Sequence, residues 1–279
     1  MRFALVAHQL SETNVELAAR GWPGAQSMLL APQGALRHLR PGDVALNRLD
    51  VLPTLNGVED GLWIVGRLEA HGVRVLNSAS ALLAAHDKLL TARLLTSAGL
   101  PHPRTVRLTR ARDAAKFRYP VVAKPRFGSW GRDVEICADE AALGRYLAAS
   151  LAKPWGRAGA VVQELVTPTG NDLRLVVAGE KVVGCAARRA RPGEWRTNAA
   201  LGAVVEPAFA EPAASDLAIA ATRILGLDLA GVDLLPRDDG YVVIEVNGAV
   251  EFRPFYSPTT DVFAAAMAGL AQRRTLVAS

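Results

Sequence analysis

The stretch Leu229–Phe252, LAGVDLLPRDDGYVVIEVNGAVEF, decides how this chain is read. Its two apolar runs, Leu229–Leu235 and Tyr241–Val246, are joined by the polar turn Pro236–Gly240 and read as a β-hairpin. Asp233 lies on the first strand. Glu245 and Asn247 end the second, two residues apart and so on one face. Two carboxylates and an amide oxygen make a hard-oxygen set of the kind Mg²⁺ takes, and Mg²⁺ usually bridges such ligands to substrate phosphates. The hairpin therefore points to a magnesium–nucleotide site. Taken alone, the same residues also fit an ordinary surface turn, so the rest of the chain has to decide.

The 279 residues are half hydrophobic, ample for a packed core and two or three subdomains. No run approaches the roughly 18 uncharged apolar residues of a membrane span. The start, MRFALVAHQL, reads as a first strand rather than a signal peptide. Cys137 and Cys185 have no metal-ligand spacing, and two lone cysteines suit a reducing cytoplasm. A net charge of +5 is carried by dispersed arginines with no nucleic-acid motif beside them. That pattern fits a solvated surface, or attraction to ATP or an acidic partner.

Working outward from the hairpin, a helix over Ala213–Leu225 precedes it and a last helix runs from about Thr260 to Gln272, with a frayed tail. Long antiparallel strands are expected at Asp172–Val177 and Lys181–Arg189. Strands at Tyr119–Lys124, Val134–Cys137 and Ala160–Leu165 and a helix at Glu140–Leu151 come before them. The first part alternates strands (Phe3–Ala7, Gln26–Leu30, Val44–Asn47, Val73–Leu76) with helices at Ser11–Arg20 and Glu59–His71, which implies a small parallel sheet. A helix-rich stretch, Ala79–Ala98, stops at Gly99 and the Pro101/Pro103 pair.

Several groups fit a nucleotide. Lys124 ends a strand that runs into the loop Pro125–Arg132. There Gly128 and Gly131 admit backbone close to an anion and Ser129 adds a hydroxyl. This strand–loop–strand suits a flap over phosphates, or a plain glycine hairpin; it is not a Walker A loop. Lys88 follows an Asp at a helix start and by itself reads as a surface lysine. Gln163, Glu164, Leu165 and Val166 end a strand and open a bend that offers backbone to an adenine edge, or simply turns at Pro168. Arg174 and Arg188 sit on facing strands, with Arg196 and Asn198 next in EWRTN, and the planar guanidinium fork suits carboxylate and phosphate. No Ser-His-Asp arrangement or histidine metal spacing is present.

In order, the motifs are DK (87–88), PVVAKPRFGSWGRDV (120–134), VVQELV (161–166), GNDLRLVVAGEKVVGCAARRARPGEWRTNAALGA (170–203), GVDLL (231–235) and VIEVNGAVEF (243–252). Together they resemble the ATP-grasp carboxylate–amine ligases of the RimK-like branch. GSWGR and EVNGAVEF look most like the LysX-type ligases, which join an amino acid to the C-terminal Glu of a small acidic carrier protein. ALNRLDVLPTLNGVEDG (45–61) looks more like RimK-type glutamate ligases. The resemblance covers about Gly72 to Ala264.

It implies a mixed α/β ATP-grasp fold: an N-terminal parallel α/β subdomain (1–87), a central lid subdomain with the flap (88–165) and a C-terminal antiparallel-sheet subdomain (166–279). It implies ATP and Mg²⁺, with Mn²⁺ able to substitute, and an acylphosphate attacked by an amine. Lys88 and Lys124 look like phosphate-binding lysines, Ser129 and Gly131 the flap, and Gln163–Val166 the adenine hinge. Asp233, Glu245 and Asn247 look like metal ligands. Arg174, Arg188 and Asn198 match positions that meet phosphate or acyl substrate. Arg48 and Asp50 are read as substrate contacts or as an ordinary strand-end salt pair. The expected partners are ATP, an amino acid and an acidic carrier protein or glutamate-terminated acceptor, in a cytoplasmic enzyme that relatives allow to be a homodimer or homotetramer. Neither nucleic acid nor membrane is among them. The alternatives are a dipeptide- or glutathione-like ligase, or a nucleotide-binding regulator without turnover.

Overall fold

The computed structural model describes residues 1–50, 53–54, 57–58, 60–114 and 117–277. The expected helix start at Glu59 and the frayed tail at 278–279 lie outside the described residues. The chain begins with β1 (Arg2–Val6), α1 (Glu12–Arg20), β2 (Gln26–Leu30), α2 (Pro32–His38) and β3 (Val44–Asn47). A short ladder of β4 (Pro53–Thr54) with β5 (Gly57–Val58), then α3 (Asp60–Ala70) and β6 (Arg74–Leu76), completes this part. Strands β2, β1, β3 and β6 lie in that order, all parallel. The β3 residues are buried throughout, as befits a strand covered on both faces. Ser11 caps α1 by accepting from the Asn14 amide. The α2 helix was not expected from the sequence, because seven residues opened by Ala31-Pro32 carry too little periodicity to stand out.

The helix-rich stretch breaks in two at Asp87. Here α4 (Ala79–His86) ends and α5 (Lys88–Ser97) begins, and the Asp87 carboxylate accepts from the Leu89 and Leu90 amides. Next come β7 (Thr105–Leu108), β8 (Val121–Pro125), β9 (Glu135–Cys137), α6 (Glu140–Ser150) and β10 (Ala160–Glu164). They form an antiparallel sheet ordered β7-β10-β8-β9. The third sheet takes β11 (Asn171–Ala178), β12 (Lys181–Arg189), β13 (Val204–Pro207), β14 (Leu229–Arg237) and β15 (Gly240–Asn247), in the order β13-β12-β11-β14-β15. Helix α7 (Pro212–Ile224) precedes β14, and α8 (Val262–Val277) closes the fold.

Alternation along β11 explains where the site falls. Leu175 and Val177 join the core that holds the α7 residues Ala214, Ala218 and Ala221. Val176 and Ala178 face the other way and join a core with Phe263 and Leu270 of α8 and Phe3 and Leu5 of β1. Arg174 and Asp172 continue this second face beyond the reach of α8. One end of the face is thus apolar and covered, while the other is charged.

Asn77 joins the first and third sheets. It is fully buried, in a left-handed conformation (φ 54) that Asn tolerates better than most residues. Its Nδ2 donates to the Leu229 and Gly248 carbonyls at 2.9 and 3.0 Å, and its Oδ1 accepts from the Asp228 and Leu229 amides at 2.8 and 3.1 Å. Asn77→Ala would orphan these four backbone groups and put a strained alanine in their place. We expect a loss of about 3 kcal/mol or more in urea unfolding; a loss below about 1 kcal/mol would show that the Asn77 rivet does not hold the sheets together.

Candidate active site

The charged face is a row set by strand register. Asp172 lies opposite Arg188, Arg174 opposite Asp233, and Asp233 opposite Glu245. A bulge after Asp233 leaves Ile244 unpaired and lets Glu245 meet Asp233 squarely. Arg174 grips both Asp233 oxygens, Nε to Oδ1 and Nη2 to Oδ2 at 2.7 Å each. Arg188 reaches Asp233 Oδ2 at 2.9 Å and forks onto Asp172, which also accepts from the Thr197 hydroxyl. Burial pushes the Asp233 carboxyl up, but the two guanidinium charges outweigh it and hold it below the ordinary aspartate range. Gly231, two residues before Asp233, has no room for a side chain: a Cβ there would lie 2.2 Å from a Val250 methyl.

The row walls a first cavity of about 130 Å³ between the second and third sheets. Lys88, Lys124, Ser129 and Gly131 line it, as do Gln163, Glu164, Leu165 and Val166. From the charged row it takes Arg188, Asp233 and Glu245, and Asn198 joins them. Lys88 opens α5 because Asp87 turns the chain there, and Arg126 clamps Asp87 from the flap, Nε to Oδ1 at 2.7 Å. Lys88 Nζ donates to the Gly128 carbonyl at 2.5 Å and lies 3.2 Å from Glu245 Oε1. It ties the flap to the β14–β15 hairpin.

Lys124 is buried, and its Nζ donates to Gln163 Oε1 at 2.8 Å. Burial, and then the charge of Lys88, lower the Lys124 ammonium to about 8. The Gln163 amide in turn donates to Thr105 Oγ1 at 2.7 Å and faces His102 Nε2 at 3.4 Å. Burial holds His102 neutral, with a pKa lowered to about 4, so its Nδ1–H donates to the Val243 carbonyl and Nε2 is left as acceptor. The Gln163 side chain thus supports Lys124. Its backbone stays in the ladder with Val122 and Thr105, and the Glu164 amide donates to the Arg104 carbonyl. Of the expected adenine hinge, Leu165 and Val166 are the residues lying past the ladder.

In the flap, Gly128 and Gly131 take positive φ, and a Cβ on Gly131 would lie 2.6 Å from Asn198 Oδ1. Arg196 lines the first cavity and is tied to the flap. It donates to the Gly131 and Val134 carbonyls and pairs with Glu194, whose carboxyl it pulls down to about 2.

A second cavity, of about 590 Å³, adjoins the first; Ser129, Arg188, Asn198 and Glu245 line both. Arg174 and Asn247 open only onto the second. So do Arg48, Asp50 and Glu251. Arg48 and Asp50 are not each other's hydrogen-bonded partners, which corrects the salt-pair reading. Arg48 Nη2 bonds Glu251 at 2.9 Å, and Asp50 pairs with His86 at 3.0 Å. Partners 203 and 36 residues away in sequence overrule the neighbour two positions off.

The donor set fits Mg²⁺ with one adjustment. Asp233 and Glu245 face each other across the ladder, and Asn247, opposite Gly231, has a buried amide nitrogen with no partner. Both Asp233 oxygens are held by guanidinium groups, Oδ1 by Arg174 alone and Oδ2 by Arg174 and Arg188, so a metal there needs Arg174 to release Oδ1. Among the described residues no three of His, Cys, Asp and Glu converge on a metal-sized site. Charge points the same way. The lining of the first cavity carries Lys88, Lys124, Arg132, Arg188 and Arg196 against Glu164, Asp172, Asp233 and Glu245, a small excess of positive charge. Asp172, Thr197, His102 and Thr105 are not picked out from the sequence as site residues. The pairing that reveals Asp172 exists only once the β11–β12 register is known.

The RimK-like ATP-grasp domain matches residues 85–267. The glutamate–LysW ligase ArgX of Sulfurisphaera tokodaii is 31% identical over 227 residues, 78% of this chain and 80% of that protein. The α-aminoadipate–LysW ligase LysX of the same organism is 34% identical over 187 residues, 64% of this chain and 65% of that protein. A RimK-domain ATP-grasp structure from Sphaerobacter thermophilus superposes with a TM-score of 0.70 at 24% identity, over 98% of this chain and 99% of that one, and so shares the fold. Among the described residues, no helix is long and apolar enough to cross a membrane. The chain belongs to the RimK-like ATP-grasp family and is an ATP-using ligase.

Proposed function

We propose that the chain joins the amino group of an amino acid to a carboxylate of an acidic acceptor, with ATP and Mg²⁺, through an acylphosphate. The observation that carries this reading is the charged row shared by two adjoining cavities, one lined by lysines and flap, the other by mixed charges. In this reading the first cavity takes ATP. Lys88 and Lys124 hold its phosphates, the flap from Gly128 to Gly131 covers them, and the backbone of Leu165–Val166 meets adenine. Asp233, Glu245 and Asn247 hold Mg²⁺, which supplies positive charge to the transferring phosphoryl group.

The carboxylate oxygen of the acceptor attacks the γ-phosphorus and ADP leaves. Arg174, Arg188 and Asn198 orient the two anions and offset their repulsion, the main obstacle to this step. The amine then attacks the acyl carbon, phosphate leaves, and the amine proton is lost, giving an amide. The covered cavity keeps water from the acylphosphate. No protein nucleophile is required. The named activities of the relatives support glutamate or α-aminoadipate as the amine and a small carrier protein as acceptor, and the +5 net charge suits an acidic one.

Release of ADP from ATP, screened across glutamate, 2-aminoadipate and acceptors ending in glutamate, tests the reading. Release is expected only when acid and amine are both present. ATP binding without release across the panel would favour a non-catalytic regulator. Glu245→Gln is expected to lower turnover roughly a hundredfold or more with the melting curve unchanged; wild-type turnover would remove Glu245 from the metal site.

The Lys124 pKa gives a pH prediction. Its free-state value is depressed to about 8, and a phosphate beside it favours the charged form and raises that value. Binding of a non-hydrolysable ATP analogue should therefore take up a proton between about pH 8 and 10, and affinity should fall roughly tenfold per unit above pH 8. Calorimetry in buffers of different ionisation heat measures both. A pH-independent affinity would place Lys124 away from the phosphates.

A further inference from the structure

Arg132 lines the first cavity from the end of the flap, and the fold gives it no anion of its own. The other guanidinium groups in that lining are paired, Arg188 with Asp172 and Asp233 and Arg196 with Glu194. Among the described residues Arg132 has no carboxylate partner. Its guanidinium lies instead over the Trp130 ring, with the central carbon 4.7 Å from the ring centroid. An indole face attracts a cation without supplying a conventional acceptor, so the N–H groups of the arginine stay available to an anion.

The place of Trp130 also calls for an explanation. Its backbone takes a left-handed φ of 66°, where a bulky side chain is strained. Gly128 and Gly131 take positive φ close by, so the same loop uses glycine where conformation alone matters. About half of the Trp130 side chain faces solvent, so core packing does not account for it either. The guanidinium on its face does. Lys88 holds the Gly128 carbonyl and Arg196 the Gly131 carbonyl, which fixes the loop on both sides of the ring. The ring is thereby set in a defined place, and Arg132 with it.

We propose that Arg132 is a further phosphate-binding residue, presented to the polyphosphate tail of the nucleotide by the Trp130 ring. The assignment rests on the reading that the first cavity takes ATP, and it adds to Lys88 and Lys124 a cation carried by the flap itself. Arg132 meets phosphate without giving up an ion pair, whereas Lys88 and Arg188 each have a carboxylate to leave. Its fork suits phosphate oxygens, and charge-assisted bonds to them are stronger than the ring contact alone. Trp130 acts on the phosphates only through Arg132, as a positioning residue.

Isothermal titration of the full chain with AMP-PNP and Mg²⁺ at low ionic strength tests this, with melting curves to check that each variant is folded. Arg132→Gln is expected to weaken AMP-PNP binding roughly tenfold. Arg132→Lys keeps the charge but not the planar fork, and should stay within about threefold of the wild type. Trp130→Leu keeps a bulky side chain on the same backbone and removes the aromatic face, for a loss of about threefold. The double variant Trp130→Leu with Arg132→Gln should bind no more weakly than Arg132→Gln alone, because the ring works through the arginine. Unchanged affinity in Arg132→Gln would overturn the proposal. So would an Arg132→Lys as weak as Arg132→Gln, since a cation then counts for nothing. Losses that multiply in the double variant would overturn the part given to Trp130. Failure of the wild type to bind AMP-PNP would instead bring down the ligase reading itself, and this assignment with it.

Discussion

Two carboxylates and the Arg188 guanidinium are buried side by side on one sheet face with the half-buried Arg174, and the site is arranged around them. Taking charges out of water costs several kcal/mol for each one buried. Arg174, Asp233, Arg188 and Asp172 recover that cost only because strand register presents them as forks meeting carboxylates, each oxygen matched to an N–H. Removing one partner leaves an uncompensated interior charge, worth about 3–5 kcal/mol of destabilisation. The row is thus both a structural tie across β12, β11 and β14 and a fixed pattern of charge. Glu245 extends it by one strand, and through Lys88 it reaches the flap.

Much of this architecture is legible in the sequence. The parallel sheet follows from apolar runs alternating with helical periodicity, and the hairpin that carries Asp233 and Glu245 from two β runs around Pro236–Gly240. Lys88 is legible as a helix start because Asp87 is a strong cap. These signals are local, each resting on a few consecutive residues. What the sequence did not disclose depends on register or on distant partners. Asp172 reads as a strand-end acid until β12 brings Arg188 opposite it. Gln163 reads as part of a bend, yet its side chain points inward to Lys124. Arg48 and Glu251 are far apart in the chain and meet only where two sheets abut.

The lysines show how burial shapes the site. Lys124 lies beneath the flap with an amide for company instead of a carboxylate, so its charge is only loosely held. Lys88 is less enclosed and is already engaged with a flap carbonyl and Glu245. On the proposed function, a polyphosphate between them would meet one lysine with no carboxylate in hydrogen-bond reach and one that must exchange its partners.

The division of the hydrophobic core has a mechanical consequence. Residues of the first and third sheets share both large cores, so Phe3 and Leu5 pack in one cluster with Phe263, and Ala4 and Ile64 in another with Val232. The piece around β7–β10 keeps a small core of its own, built from residues such as Phe117, Leu143 and Tyr146. A rigid body and a lighter flange therefore meet along the first cavity, joined there by polar ties such as Asp87–Arg126 and Lys88–Gly128 and by the Phe127 side chain. Swinging the flange outward breaks ion pairs and hydrogen bonds that water can replace, together with the packing of Phe127 against the larger core. The molecule can gape at that seam at modest cost while the charged row keeps its alignment.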